Sequence, residues 1–263
     1  MKNHHPLNHH KKGHKKDLKI SLGFALIGLV ASVAATMYQL SIFPEDILLQ
    51  IIDQMGSTNA LIPIAASQGA LLTFLAAFFG QKLARKTGLD LGFRWDRKAF
   101  ILALFIGAAV GLVITGSDRF VFSAYLPEVL TDYQFSPIYL ITGLLYGGVI
   151  EEVLLRLFVM SLLVLIIWKL SPARKDPAIP RWVYWSGILL AALLFAAGHL
   201  PFTAQAIGWS GPIIARGLLL NSIGGIGFGY LYWKKGLLYA IIAHAATHFF
   251  MQLVFMPLFF NGY

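Results

Sequence analysis

The sequence predicts an all-α polytopic transmembrane helix bundle of seven to eight spans, and three observations carry that prediction. Apolar residues make up 57% of the 263-residue chain and charged residues only 13%, about half the charged share of an ordinary soluble domain. The apolar residues gather in runs long enough to cross a bilayer as helices. Nearly all the charges fall between those runs, so the formal net charge of +9 reports topology and not a nucleic-acid partner.

In chain order, residues 1–19 read as a cytoplasmic, disordered tail rich in Lys and His, with His4, His5, His9, His10 and His14 in a polar stretch that has no apolar partners. The first span covers 20–43 and has no clear small-residue cleavage site, so it is a retained helix and not a signal peptide. Further spans cover 60–81, 99–116, 137–169, 182–199, 212–233 and 236–259. Residues 20–136 form the N-terminal transmembrane helices and 137–259 a C-terminal helix core, all in one membrane domain. The stretch 137–169 would be roughly 50 Å long as a helix against a hydrocarbon core of ~30 Å; it must be tilted, broken or doubled back, and the last option would make eight spans.

Charge placement orients the bundle. Lys11, Lys12, Lys15, Lys16 and Lys19 precede the first span, and Lys82, Arg85, Lys86, Arg94, Arg97 and Lys98 lie between the second and third, so both stretches and the N-terminus are expected in the cytoplasm. The acidic loops carrying Glu45, Asp46 and Asp53, and Asp118, Glu128 and Asp132, are expected outside. The protein is thus expected to be integral to a membrane, with the lipid bilayer as its permanent partner.

Glu151, Glu152, His199, His244 and His248 are ionisable and stand inside apolar runs. Such groups are expensive in lipid and mark function by default. Neighbours on a helix point about 100° apart, so the two glutamates should have different roles. Glu152 and Arg156 are spaced i, i+4 and read as a buried structural pair. Glu151 has no basic residue at helical spacing, so its charge must be met from another helix, and it is the better general base. His244 and His248 share a helix face at i, i+4, a spacing also used by two histidines on one metal. Phe195 lies one turn before His199 and should pack beside its ring, while Gly198 should let another helix come close. With no cysteine in the chain, thiolate chemistry is excluded.

Glu151-Glu152-x-x-x-Arg156, Phe195-x-x-x-His199 and His244-x-x-x-His248, in that order on successive apolar helices, resemble the CPBP or Abi family of intramembrane proteases, which includes the CaaX prenyl endopeptidases. Gly225, Gly227 and Gly229 before Tyr230 to Gly236 are similar to the family's glycine-bearing helix and turn. The likeness covers roughly residues 137–256 and implies that 137–259 is a four-helix catalytic core. It implies that Glu151 and His199 orient and deprotonate an attacking water, and that His244 and His248 stabilise the oxyanion or, with His199, hold a metal, for which zinc is the expected ion. Metal-dependent and metal-free forms both stay open at this stage. The chain departs from the family where His248 replaces the usual asparagine and where Leu157 follows the arginine in place of glycine.

The resemblance implies a membrane peptide or lipidated protein as substrate, and the short loops look like those of a bacterial cytoplasmic-membrane protein. A second reading, of a different class, is a non-catalytic scaffold or immunity protein of the same fold; a proton or cation transporter is a third. Of the other polar residues, Arg216 is expected to snorkel to the interface, Asn221 to bond across helices, and Trp182, Tyr184 and Trp185 to anchor at the membrane surface.

Overall fold

A computed structural model describes residues 7–127, 133–175 and 178–260, with side chains from residue 14 onward. His4, His5, Glu128 and Asp132 therefore lie outside the described residues, as do the side chains of His9 and His10. Eight helices are present in the described residues: α1 (Leu7–Ile42), α2 (Glu45–Met55), α3 (Leu61–Lys86), α4 (Arg97–Phe120), α5 (Pro137–Leu170), α6 (Arg181–Ala206), α7 (Gly211–Lys235) and α8 (Leu237–Phe260). All but α2 are long and apolar enough to cross a membrane, so the chain is an integral membrane protein with seven such helices among the described residues.

Two expectations need correction. The stretch 7–19, expected to be disordered, forms the first turns of α1. At roughly 54 Å, α1 is longer than the hydrocarbon core needs, and its extra turns are tied to α3: Arg85 donates to both Asp17 carboxylate oxygens at 2.9 and 2.6 Å, and Gln81 donates to Ser21 Oγ at 3.1 Å. The acidic segment after α1 is not a loop but the eleven-residue helix α2. Glu45 and Asp46 occupy its first turn, where carboxylates complement the helix dipole, and Gly56 ends it at φ 75°.

α5 is one continuous helix of 34 residues that does not double back. It changes winding: Gly143–Glu151 and Val153–Met160 are π-helical. It packs against α1, α3, α6, α7 and α8, while α8 also lies along α4 and α7, and α6 along α7. Close approach depends on small residues. A Cβ at Gly80 would meet Leu157 Cγ at 2.8 Å, so the glycine that the motif lacks at Leu157 has a counterpart on the facing helix. Leu157 itself is fully buried.

The turn from α7 into α8 is locked to the segment before α4. Leu237 and Leu238 donate backbone N–H bonds to Asp90 and Leu91 at 3.1 and 3.0 Å, and the Tyr239 hydroxyl accepts from Asp96 N and donates to Arg94 O. Gly92 and Gly236 meet here with φ of +64° and +96°, and a Cβ on Gly236 would stand 2.5 Å from Gly92 Cα. Asp96 caps α4, and the Ala99 backbone N–H, helped by Lys235, holds its carboxyl below the usual carboxylate range.

Candidate active site

Three helices bring Glu151, His199 and His244 together at mid-bundle. Glu151 ends the first π-helical stretch of α5; one carboxylate oxygen lies 3.5 Å from His199 Nε2 on α6, and the other 3.8 Å from His244 Nε2 on α8. These gaps exceed a formed hydrogen bond, yet a single small atom could touch both partners. The side chains of Glu151 and His199 are 16% and 30% exposed, against 6% for His244. The site is therefore open on its α6 side and closed behind.

Each imidazole has its other nitrogen spoken for. His199 Nδ1 lies 2.8 Å from the Phe195 carbonyl, which can only accept, so Nδ1 carries the proton and Nε2 faces Glu151. His244 Nδ1 lies 2.8 Å from Glu152 Oε1 and donates to it, which again leaves Nε2 toward Glu151. Glu151 and Glu152 thus address opposite edges of the same ring. Separation of the neighbours by helix geometry is seen as expected, but Glu152 has a second partner beyond Arg156.

Glu152 and Arg156 are 0% and 1% exposed and pair at 2.9 Å across one helical turn. That contact is charge pairing and not an aligned hydrogen bond, since Arg156 Nη1 and Glu152 Oε2 have no hydrogen-bond partner among the described residues. The guanidinium is also held by the Gly225 carbonyl at 3.3 Å and lies over the rings of Phe195 and Phe228, 4.7 and 5.4 Å from their centroids. Gly225 is needed where it stands: a Cβ there would meet Ala192 at 2.8 Å. Phe195 packs edge-on against His199, centroids 4.6 Å apart, and Phe228 stacks on His244 at 4.5 Å.

His248 lies one turn beyond His244, its ring 18° from parallel with that of His244 and 5.3 Å away. Its Nδ1 is buried with no partner among the described residues. The ring fits against α5 only because Gly143 and Gly147 have no side chains; Cβ atoms there would come within 2.6 Å of His248 Cγ and Nε2 respectively. Neither glycine, nor Phe228, was anticipated from the sequence, although the small-residue run Gly143 to Gly148 is a readable sign of close helix approach.

Of the three histidines expected to hold zinc, His244 and His248 stack with their rings 5.3 Å apart and 18° from parallel, and His199 faces Glu151 from another helix; no group of three His, Asp or Glu among the described residues is arranged to hold a metal.

Other expectations change. Arg216 does not snorkel; its Nε and Nη2 donate to the two oxygens of Asp118 on α4, both at 2.6 Å. Asn221 bonds within its own helix, to Gly217 O at 2.8 Å. Gly198 faces away from the bundle, with nothing within 4 Å of a Cβ placed there, because it sits one residue, about 100°, from His199. His199 does not end its helix, which runs on through Pro201 to Ala206. Trp182 is exposed as an interface residue would be, but Tyr184 stacks on Trp233 and donates to Thr87 O.

Residues 133–250 match the family described as Type II CAAX prenyl endopeptidase Rce1-like. The matched stretch contains every residue from Glu151 to His248 discussed above, and it agrees with the family resemblance that the three motifs carry. No curated protein and no solved structure matches the chain.

Proposed function

From the premise of a CAAX protease-like core, we propose that the protein is an intramembrane endopeptidase in which Glu151 activates a water to cut a peptide presented from the bilayer. The single observation that carries this reading is the carboxylate of Glu151 facing the Nε2 atoms of His199 and His244 from two other helices, with both rings oriented from behind. Two nitrogens and a carboxylate around one open space are a place for a water that gives up a proton.

The step runs as follows. Glu151 takes a proton from water held between it and His199, and the water oxygen bonds to the scissile carbonyl carbon. The negative charge moves to the carbonyl oxygen. His244, whose Nδ1 proton is fixed on Glu152, can donate there from Nε2 when that nitrogen is protonated, and neutral His248 can donate one hydrogen bond. Glu151 then returns its proton to the amide nitrogen as the C–N bond breaks, giving a carboxylic acid and an amine, between which the remaining water proton passes to leave a carboxylate and an ammonium. Glu152 and Arg156 act through His244 and are positioning residues. The exposed side at His199 supports entry of the peptide, and a lipid-modified or membrane-associated tail is the substrate class that could reach it from the bilayer. Every step uses side chains of the chain itself.

The test is cleavage of a fluorogenic peptide library, with prenylated and unprenylated members, by the purified full-length protein, with zinc content measured on the same sample. Cleavage without stoichiometric zinc is the expected result. Zinc near one per chain, with activity lost on chelation, would restore the metal-dependent form. A folded protein that cuts nothing in the library would favour the scaffold reading.

A further inference from the structure

A second feature lies at the basic end of the same helices. An open cavity of about 900 Å³ is bordered by the start of α1, the end of α3, the segment before α4 and the turn from α7 into α8. Five basic side chains line it, Lys16, Arg85, Arg94, Lys234 and Lys235, against three acidic ones, Asp17, Asp90 and Asp96. Two of the acids are already paired with cations, Asp17 with Arg85 through two bonds and Asp96 with Lys235. Asp96 also accepts from the backbone at the start of α4, and Asp90 accepts from Gly92 N at 2.6 Å.

Lys16, Arg94 and Lys234 remain, and none has a carboxylate partner among the described residues. Lys234 is held in place by the face of Trp233, its ammonium 3.4 Å from the ring centroid. The walls are fixed in advance: the 87–96 segment is pinned to the 236–239 turn by the bonds of Leu237, Leu238 and Tyr239. A pre-formed cavity of this size can hold a drug-sized or headgroup-sized ligand. Its position at the ends of membrane-spanning helices places it at the level of the lipid headgroups, where basic pockets between helices take anionic lipids.

We propose that this cavity is a binding site for a phosphate-bearing anion, with Lys16, Arg94 and Lys234 as the three cations that neutralise it. The site is remote from Glu151 in the chemistry it offers. Leu237, Ala240 and Ala243, all fully buried, stand on α8 between Gly236 at the cavity and His244. The ligand is thus separate from the peptide substrate, and the assignment stands whether or not the protein is a protease.

The experiment compares the full-length wild type with the triple variant Lys16→Gln, Arg94→Gln, Lys234→Gln and with a control, Lys86→Gln, Arg97→Gln, Lys98→Gln, which removes three nearby cations that do not line the cavity. Each is placed in phosphatidylcholine nanodiscs with or without phosphatidylglycerol, and, separately, in neutral detergent with inorganic phosphate. Retained lipid and the thermal midpoint are read. The wild type and the control should retain phosphatidylglycerol and gain stability from it, and the cavity variant should bind it about tenfold or more weakly while matching the wild-type midpoint in phosphatidylcholine alone. Stabilisation by inorganic phosphate in detergent, lost only in the cavity variant, would assign the site to a free phosphate; stabilisation by the anionic lipid alone would assign it to a headgroup. Equal responses to both ligands in the cavity variant and the wild type would overturn the site.

Discussion

His244 is the residue on which the site turns, because it touches both glutamates through different nitrogens. Removing charge from Glu152 should therefore do two things at once. Glu152→Gln leaves Arg156 buried without a carboxylate, a defect worth about 3–5 kcal/mol, and it offers His244 Nδ1 an amide that can donate as well as accept. The expected result is a lower thermal midpoint together with a kcat that falls more than KM rises; unchanged kcat in the folded variant would reduce Glu152 to an ion-pair partner alone. His248 is a milder case. An asparagine amide can donate where a neutral imidazole does, so His248→Asn should keep activity within about tenfold in the same cleavage assay, and abolished activity in a folded variant would give His248 a role that only a ring nitrogen fills. Glu151, His199, His244 and the Glu152–Arg156 pair were all legible in the sequence, since ionisable residues in apolar runs have few bland explanations. The Glu152–His244 bond was not: its ends are 92 residues apart, and helical spacing says nothing about which face of α5 meets α8.

The helices explain why such polar residues can meet at all. α5 was visible as an apolar run too long for one straight crossing, but its winding was not, because a π stretch is a hydrogen-bond pattern and carries no residue signature of its own. Its glycines do carry one. Gly147→Ala would place a Cβ 2.6 Å from His248 Nε2 and 3.4 Å from His244 Nε2, so the His248 ring must shift beside that of His244 while the helix, which favours alanine over glycine, remains. Activity is expected to fall by at least about tenfold, consistent with the sensitivity of catalysis to displacements near 1 Å, with helicity by circular dichroism unchanged; full activity would show that the close fit at Gly147 has no catalytic consequence. The errors at this scale share a cause. Arg216 and Asn221 were judged from their place in one span, whereas Asp118, which settles the first, stands on α4, and the Gly217 carbonyl that settles the second was available one turn away. The disordered reading of 7–19 likewise weighed only local composition, and Asp17 is held by Arg85 from across the bundle.

Across the whole molecule, seven spanning helices place the start of α4 and its far end on opposite sides of the membrane. The absence of cysteine makes this directly measurable, since a single introduced thiol is the only one to react. With the basic segments facing the cytoplasm, as their charge predicts, Ser123→Cys should label with a membrane-impermeant maleimide in intact cells, and Lys98→Cys only after permeabilisation. The reverse pattern would invert the orientation, and labelling of both would contradict the crossing of α4. The bundle as a whole is a scaffold that holds one carboxylate against two oriented imidazoles in an opening on its side, and the claim that this carboxylate is the general base is the one most worth testing. The measurement is single-turnover cleavage of a peptide that the wild type cuts, repeated with Glu151→Gln at matched thermal midpoint. The account predicts a loss on the order of 10² to 10⁴ in the cleavage rate with peptide binding retained, and a folded Glu151→Gln protein that cuts at the wild-type rate would contradict it.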